Sequence, residues 1–122
     1  FPYKNGNMRL ESVGNAIDHA EVVAENVCGS NIEYKPKPWF WSDQYDTKLQ
    51  IAGLNYGFTN IVERKTNENS VSFWYYSNEK LLAVDAINSP RDYMIGKKLI
   101  EAGHSPDKKT VSNPDSNLKE LL

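Results

Sequence analysis

The residues best suited to chemistry in this sequence form a run at positions 38–46, Pro-Trp-Phe-Trp-Ser-Asp-Gln-Tyr-Asp. Three large aromatic residues are followed at once by hydrogen-bonding side chains, without the alternation of an ordinary half-buried strand. Large rings beside polar groups suit a planar, partly polar partner such as a cofactor ring. The alternative is a strand end anchored in the core and followed by a polar turn. Composition alone favours that alternative.

A second candidate is the start of a predicted helix with Ser12 as its N-cap and Gly29 after its end. One apolar stripe recurs at three- and four-residue spacing: Val13, Ala16, Ile17, Ala20, Val23, Ala24 and Val27. The small first turn, with Gly14 and Asn15, would let a backbone or a flat ligand approach. Its unpaired N–H groups could hold an electron-rich oxygen. A helix that merely packs on a sheet is the alternative, and taken alone it is favoured.

The third candidate is Asp85, which lies within the apolar stretch at residues 81–87. A carboxylate there needs a partner or a route to solvent. It could be catalytic, but a structural role is favoured, in which it accepts hydrogen bonds from backbone N–H groups of the turn at residues 88–90.

The remaining reactive side chains do not combine into a site. Cys28 closes an apolar helical face and is expected to be buried and inert. His19 and His104 have no spacing that pairs them as metal ligands with an acid. No phosphate-binding loop, dinucleotide fingerprint or nucleophile elbow is present. We therefore expect no metal site and no self-contained catalytic residues.

The elements that must position these residues predict an α+β fold. Four strands are predicted, at residues 47–54, 58–65, 71–76 and 81–87. Asn55-Tyr56-Gly57 reads as a hairpin-type turn between the first two. A helix capped by Ser89 and ended by Gly103 follows, and then a short helical turn at residues 117–122. The expected architecture is a four-stranded antiparallel meander with helices packed on one face, preceded by a helix.

Composition excludes several classes of protein. At 122 residues, with 39% hydrophobic and 25% charged residues, the chain can bury a core without disulfides. A net charge of −2 gives no reason to expect nucleic acid. One cysteine excludes an internal disulfide, and no apolar run could cross a membrane. We expect a cytoplasmic protein. The absence of an initial Met suggests a processed product or a piece of something longer.

Four spaced motifs then resemble one family from residue 9 onward. They are Arg9-Leu10-Glu11-Ser12-Val13-x-Asn15-Ala16, Pro38-Trp39-Phe40-Trp41-Ser42-Asp43-Gln44, Leu49-x-Ile51-x-Gly53-Leu54 and Ala83-Val84-Asp85-Ala86-x-Asn88-x-Pro90. Their order and spacing resemble the C-terminal part of FAD-dependent NAD(P)H–ferredoxin reductases of the putidaredoxin, rhodocoxin and rubredoxin reductase kind. These belong to the pyridine nucleotide–disulfide oxidoreductase class.

The resemblance implies a domain organisation. Residues 1–30 would be the C-terminal tail of an FAD-binding domain, and residues 34–122 the reductase C-terminal domain. Both dinucleotide fingerprints would lie upstream. The full-length parent would use FAD and NAD(P) to reduce a ferredoxin-type iron–sulfur protein. The 122 residues alone would bind neither cofactor and would be inactive.

The resemblance also implies site residues. Ser12 and Val13 would present backbone N–H groups to the pyrimidine edge of the flavin, where negative charge develops on reduction. Trp41 would lie beside the isoalloxazine on the side facing the iron–sulfur partner. Trp39 would instead hold the segment in the core. None of these residues would be catalytic, because the flavin performs the redox chemistry.

Two positions depart from the family pattern. Relatives commonly carry glutamine where His19 stands and a basic residue where Glu21 stands. A ferredoxin is acidic, so an acid at Glu21 would weaken steering there. The lysines Lys35 and Lys37 could compensate.

The expected partners are the ferredoxin and the upstream FAD and NAD domains of the same protein. A homodimer is possible if the apolar stripe of the first helix docks on a second copy. The alternative function is a stand-alone protein-binding or oligomerisation module that uses exposed aromatics at Trp39, Trp41, Trp74 and Tyr76.

Overall fold

One helix dominates the first forty residues of the computed structural model, which describes residues 1–4 and 6–122 and separates into two units, Phe1–Phe40 and Trp41–Leu122. Helix α1 spans Val13–Val27 and begins at the predicted N-cap, Ser12. Two short strands precede it, β1 (Pro2–Tyr3) and β2 (Gly6–Asn7), and they pair antiparallel. The Asn-Gly-Asn turn signal at residues 5–7 includes Asn5, which lies outside the described residues.

The apolar stripe of α1 is largely exposed. Val13 is 59% and Val27 82% accessible, and Ile17 and Val23 are also exposed. Gly14 is the buried residue of the helix. The prediction that Cys28 is buried was wrong, because the stripe is not covered at this end of the helix and the thiol is exposed.

The second part of the chain carries an antiparallel sheet with helices on one face, which confirms the α+β class. Its strands are β3 (Trp39–Gln44), β4 (Thr47–Gly53), β5 (Asn60–Asn67), β6 (Ser70–Ser77) and β7 (Lys80–Ile87). The sheet therefore has one strand more than the four predicted. The added edge strand, β3, coincides with the aromatic run, which composition had favoured as a strand end and polar turn.

The strand order is β3-β4-β7-β6-β5, so only β5, β6 and β7 follow a simple meander. Strand β4 pairs with β7, and Ile51 faces Asp85. The hairpin predicted at Asn55-Tyr56-Gly57 is therefore replaced by a connection that carries the chain to the far edge of the sheet. The physical reason is that β7 is apolar along its length and takes the protected central position. Turn-forming residues do not reveal which strand comes next in space.

The core lies between the sheet and three helical elements, α2 (Pro90–Ala102), α3 (Lys108–Ser112) and a 3-10 helix (Leu118–Leu121). The main cluster consists of Trp74, Tyr76, Leu81, Val84, Ile95, Leu99, Val111 and Leu118. Trp74 and Tyr76 are completely buried. This corrects the alternative interpretation, which counted both rings as exposed binding residues.

Helix α2 has the predicted bounds. Gly103 ends it in the left-handed conformation, with φ of 72°. Gly96 lets the helix approach the sheet, since an added Cβ would lie 2.7 Å from a Val84 methyl carbon.

Within residues 1–4 and 6–122, no helix is long and apolar enough to cross a bilayer.

A buried arginine fastens the end of the chain to the sheet. Arg64 in β5 is only 4% accessible. Its terminal nitrogens donate to the carbonyls of Val111 (3.1 Å), Asn113, Pro114 (3.1 Å) and Ser116 (2.9 Å). One of them also donates to the Ser116 hydroxyl at 2.9 Å. These five contacts share the four terminal N–H groups of the guanidinium, and they link β5 to residues 111–116.

The same arginine belongs to a buried polar chain. Its Nε lies 3.6 Å from Asp92 Oδ2, and among the described residues it has no hydrogen-bond acceptor. Asp92 accepts a hydrogen bond from Ser72 (2.7 Å), and the Ser72 hydroxyl accepts one from Trp74 Nε1 (2.9 Å). The largest core side chain is thus connected to the only acid that faces Arg64 at ion-pair distance in the described part of the chain.

Asp85 is held by a tyrosine rather than by the predicted turn. Tyr75 donates its hydroxyl proton to Asp85 Oδ2 at 2.8 Å, diagonally across β6 and β7. Burial raises the pKa of Asp85, and the hydrogen bond from Tyr75 lowers it in part. Burial, followed by the bond to Asp85, raises the pKa of Tyr75 to about 12. The sequence missed this partner because it lies on a different strand.

We expect Arg64→Leu to destabilise the fold by about 3–5 kcal/mol, because it leaves the Asp92 carboxylate buried without its cation. Urea denaturation measures the loss. Lys65→Ala is the matched control, an exposed neighbour on the same strand whose change should stay within about 0.5 kcal/mol. The double variant Arg64→Leu/Asp92→Leu should recover part of the loss. Equal stability of Arg64→Leu and the control would contradict this account.

Asp85→Asn should become relatively more stable than the parent as pH rises. Because the folded pKa of Asp85 is raised above the ordinary value of 3.8, the folded state binds its proton more tightly than the unfolded state does. The carboxyl group therefore lowers stability as pH rises through its folded pKa. Thermal melts from pH 3 to pH 7 should show the difference widening above 3.8 and then levelling. A difference independent of pH would refute the assignment.

Candidate functional site

The start of α1 is a well-formed helix N-terminus. Ser12 has extended backbone angles, and its hydroxyl accepts a hydrogen bond from the N–H of Asn15 at 3.2 Å. By helix geometry the N–H groups of Val13 and Gly14 have no acceptor within the helix. They also lie at the positive end of the helix dipole. This end can therefore donate hydrogen bonds to an electron-rich oxygen.

Gly14 makes room for an aromatic ring of the same chain. A Cβ added to Gly14 would lie 2.9 Å from Cε2 and 3.0 Å from Nε1 of Trp39. The prediction that the small first turn admits a backbone or a flat ligand therefore needs correction at this residue. The indole of Trp39 already occupies that space. Trp39 is half-buried, consistent with the anchoring role predicted for it.

A tyrosine that the sequence interpretation passed over braces the same helix. Tyr34 donates a hydrogen bond to the side-chain oxygen of Asn15, whose amide group donates to Leu10 O at 2.9 Å. The Tyr34 ring stacks on His19 with centroids 4.4 Å apart. Burial, and then the charge of Asp18, raises the pKa of Tyr34, so its hydroxyl stays protonated and remains a donor. The sequence signal for this contact was a single aromatic residue, Tyr34, in the linker that continues with alternating lysines and prolines.

The cleft beside the cap is very small. Ser12, Asn15, Pro38 and Trp39 are among the residues lining it, and its volume is about 10 Å³. Such a volume holds about one water molecule. A ring bound by Ser12 and Val13 would therefore have to lie against the exposed surface of this unit rather than inside the cleft.

Trp41, the third predicted site residue, lies in edge strand β3. Its side chain is 39% accessible. Four residues later Tyr45 is fully exposed in the turn after β3, with a φ of 55°. Ser12 and Val13 belong to the first unit and Trp41 to the second, so each is described within its own unit.

The charges near the linker are partly paired. Lys35 Nζ lies 2.8 Å from Glu33 Oε2. This hydrogen bond, and then the charge of Glu33, raises the pKa of Lys35. Lys35 therefore offers less positive charge for a partner than the sequence suggested.

Among residues 1–4 and 6–122, no three His, Cys, Asp or Glu side chains are placed to hold a metal ion.

A larger polar cavity lies in the second unit, away from all residues that the sequence singled out as a site. Its volume is about 470 Å³, and its lining includes Arg64, Arg91, Asp92 and Asp115. Two cations and two acids balance one another. Arg64 and Asp92 are already engaged in the core network, so the cavity adjoins the link between β5 and residues 111–116.

Comparison with known proteins agrees with the geometry. Residues 39–122 match the reductase C-terminal family. The chain is 37% identical over 120 residues to rhodocoxin reductase of Rhodococcus erythropolis, which covers 98% of this chain and 28% of that protein. It is 43% identical over 96 residues to a ferredoxin–NAD(P)(+) reductase of Sphingomonas sp, covering 78% of this chain and 23% of that protein. The chain thus spans about a quarter of these relatives.

Solved structures give the same result. The ferredoxin reductase for the CYP199A2 system from Rhodopseudomonas palustris superimposes with a TM-score of 0.86 at 38% identity, covering 93% of this chain and 28% of that one. Putidaredoxin reductase, in its covalent complex with putidaredoxin, gives 0.84 at 32% identity with the same coverage. Because the family match extends over more than half of the 122 residues, the chain belongs to the reductase C-terminal family.

Proposed function

We propose that this chain is the C-terminal portion of a flavin-dependent reductase that passes electrons from NAD(P)H to a ferredoxin-type iron–sulfur protein. The observation that carries the proposal is the family match over residues 39–122, with sequence identity to ferredoxin reductases extending over nearly the whole chain. In this proposal residues 1–30 end the FAD-binding domain, and residues 34–122 form the C-terminal domain.

The exposed stripe of α1 supports the first half of the proposal. A helix whose Val13, Ile17, Val23 and Val27 face solvent has an apolar face of the kind that packs against more protein. The remainder of an FAD-binding domain, lying upstream in the full-length protein, is the natural cover. This agrees with the short span of the chain relative to the reductases it matches.

The residues present fit a flavin at the start of α1 in a limited way. Val13 and the cap at Ser12 offer backbone N–H groups to an oxygen, whereas the space beside Gly14 is taken by Trp39. FAD, when bound, supplies the conversion of two-electron into one-electron transfer that no side chain here provides. Trp41 contributes an accessible indole that excludes water and offers a contact surface to the partner.

The charges bear on how an acidic partner would be steered. Glu21 is exposed on α1, and Lys35 is paired with Glu33. Lys37 is then the lysine of this linker that remains to attract acidic groups. We infer that residues 21–37 attract an acidic partner less strongly than they would if position 21 carried a basic residue.

The purified 122-residue chain should show no oxidation of NADH or NADPH with a dye acceptor. The proposal assigns both dinucleotide sites to upstream sequence, so neither donor nor flavin would bind. The measurement is absorbance at 340 nm with dichlorophenolindophenol as acceptor, before and after addition of FAD. Turnover by the pure chain would overturn the proposal, as would a reading frame without two upstream dinucleotide fingerprints.

In the full-length reductase, Trp41→Ala should slow reduction of a putidaredoxin-type ferredoxin by about tenfold or more. Truncation of a hot-spot tryptophan costs about 2 kcal/mol or more, and each 1.4 kcal/mol is tenfold. Reduction of ferricyanide, which needs no docking surface, should change less than twofold. The rate of ferredoxin reduction by Trp41→Phe should lie between those of the parent and of Trp41→Ala.

The matched control is Tyr45→Ala, which removes a fully exposed ring from the same segment. It should leave both rates near those of the parent. Equal loss in Trp41→Ala and Tyr45→Ala would remove the specific role of Trp41. An equal fall in ferredoxin and ferricyanide reduction would assign Trp41 to flavin binding instead of to the partner.

A further inference from the structure

The polar cavity of the second unit has a buried floor and an exposed rim. Its floor is formed by the buried residues Arg64, Ser89, Asp92 and Leu118, and its rim includes the exposed residues Thr66, Arg91, Asp115 and Asn117. The volume of about 470 Å³ lies within the range of pockets that bind small molecules. The cavity can therefore hold a small ligand that enters from solvent.

The N-terminus of α2 contributes backbone donors to this cavity. Its N-cap Ser89 and the residues Arg91 and Asp92 of its first turn line the wall. Pro90, at the start of the helix, has no N–H group. By helix geometry the N–H groups of Arg91 and Asp92 have no acceptor within the helix. Together with the helix dipole, these two donors suit an anionic oxygen.

A hydroxyl in the floor independently indicates a ligand. Ser89 is only 8% accessible, yet its hydroxyl makes no capping bond to the first turn of α2, which is the usual role of a serine at this position. Within the described residues this hydroxyl has no hydrogen-bond partner. Buried polar groups are normally paired, so an unpaired hydroxyl in a cavity wall indicates a ligand that supplies the acceptor.

The charges at this end of the cavity favour an anion. The carboxylate of Asp92 is already compensated, because its Oδ2 lies 3.6 Å from Arg64 Nε and accepts the Ser72 hydroxyl at 2.7 Å. Arg91 makes a long hydrogen bond of 3.4 Å to Asn117 and, in the part of the chain that the structure describes, no ion pair. Its guanidinium offers a planar fork of donors that matches the oxygens of a phosphate.

We propose that this cavity binds a phosphate group, whose oxygens accept hydrogen bonds from the N–H groups of Arg91 and Asp92, the Ser89 hydroxyl and the Arg91 guanidinium. The ligand is inorganic phosphate or a small phosphate ester, whose remaining atoms the cavity accommodates. Asp115 is the opposing charge, exposed at the rim, where water and salt screen it. The site needs no flavin and does not rest on the proposed electron transfer.

Amide NMR shifts of the 122-residue chain test the proposal in titrations with sodium phosphate or sodium chloride at constant ionic strength. The N–H signals of Arg91 and Asp92 should shift saturably with phosphate and not with chloride. A titration with glycerol phosphate distinguishes the two sources. Tighter binding of the ester than of phosphate supports an ester ligand, and any other ratio supports the free ion. Absence of a saturable shift at these amides with both compounds would overturn the proposal.

Variants of the lining give a second readout. Arg91→Gln should weaken phosphate binding by about tenfold or more, because it removes a charged donor. Ser89→Ala should weaken it severalfold with little change in Tm, since the hydroxyl makes no capping bond. Lys98→Gln is the matched control, an exposed lysine on α2 outside the cavity lining, and should leave the affinity unchanged within about twofold. Equal weakening by Arg91→Gln and Lys98→Gln would reject the site.

The sign of the ligand's charge is tested at the rim. Asp115→Asn should tighten phosphate binding severalfold, because it removes the carboxylate that opposes an anion. The same titration measures the change. Weaker binding of phosphate by Asp115→Asn would contradict the assigned charge and overturn the proposal.

Discussion

The buried guanidinium of Arg64 is the interaction on which the architecture of the second unit most depends. Through its donors it binds the carbonyls of residues 111–116, and through Asp92 it reaches α2 and the Ser72–Trp74 pair. A loop, a helix and two strands thus share one cation. A buried charge of this kind has a strict geometry, because each donor that loses its acceptor costs free energy. The network thus fixes β5 and β6 of the sheet, of which β3 with Trp41 is the opposite edge strand, to α2 and residues 111–116.

How far the sequence predicts the fold depends on the range of the determining interactions. Helices α1 and α2 were predicted at the correct positions because Ser12, Pro90 and Gly103 act on their own neighbours. Strand order was not, because the pairing of β4 with β7 depends on competition between distant segments for the centre of the sheet. The sequence also did not determine which face of β6 packs against the helices. Both faces are apolar, and only the positions of α2 and Arg64 determine that Trp74 is buried.

The site was predictable to a similar degree. The N-cap at Ser12 follows from local pattern, whereas the position of Trp41 in an edge strand did not, because the aromatic run lacks the alternation of a half-buried strand. The neighbour of Gly14 could not be predicted from the sequence. A glycine indicates only that another group approaches the backbone closely, and here that group is the ring of Trp39, twenty-five residues along the chain. The Tyr34–His19 stack is likewise a contact between a linker and a helix, for which no periodicity exists to be found.

The difference between the two faces of the sheet explains why a stable fold and an incomplete surface occur together. On the inner face every large ring is buried and the polar atoms of Arg64, Ser72 and Asp92 are almost all paired. On the opposite face, Ile51, Phe73 and Tyr75 are only partly buried and lie beside the charged Glu63 and Lys65, and Asp85 accepts a hydrogen bond from Tyr75. Stability of the unit requires only the first arrangement. The partly buried Phe73 and Ile51 therefore lie outside the core cluster that α2, α3 and the sheet enclose.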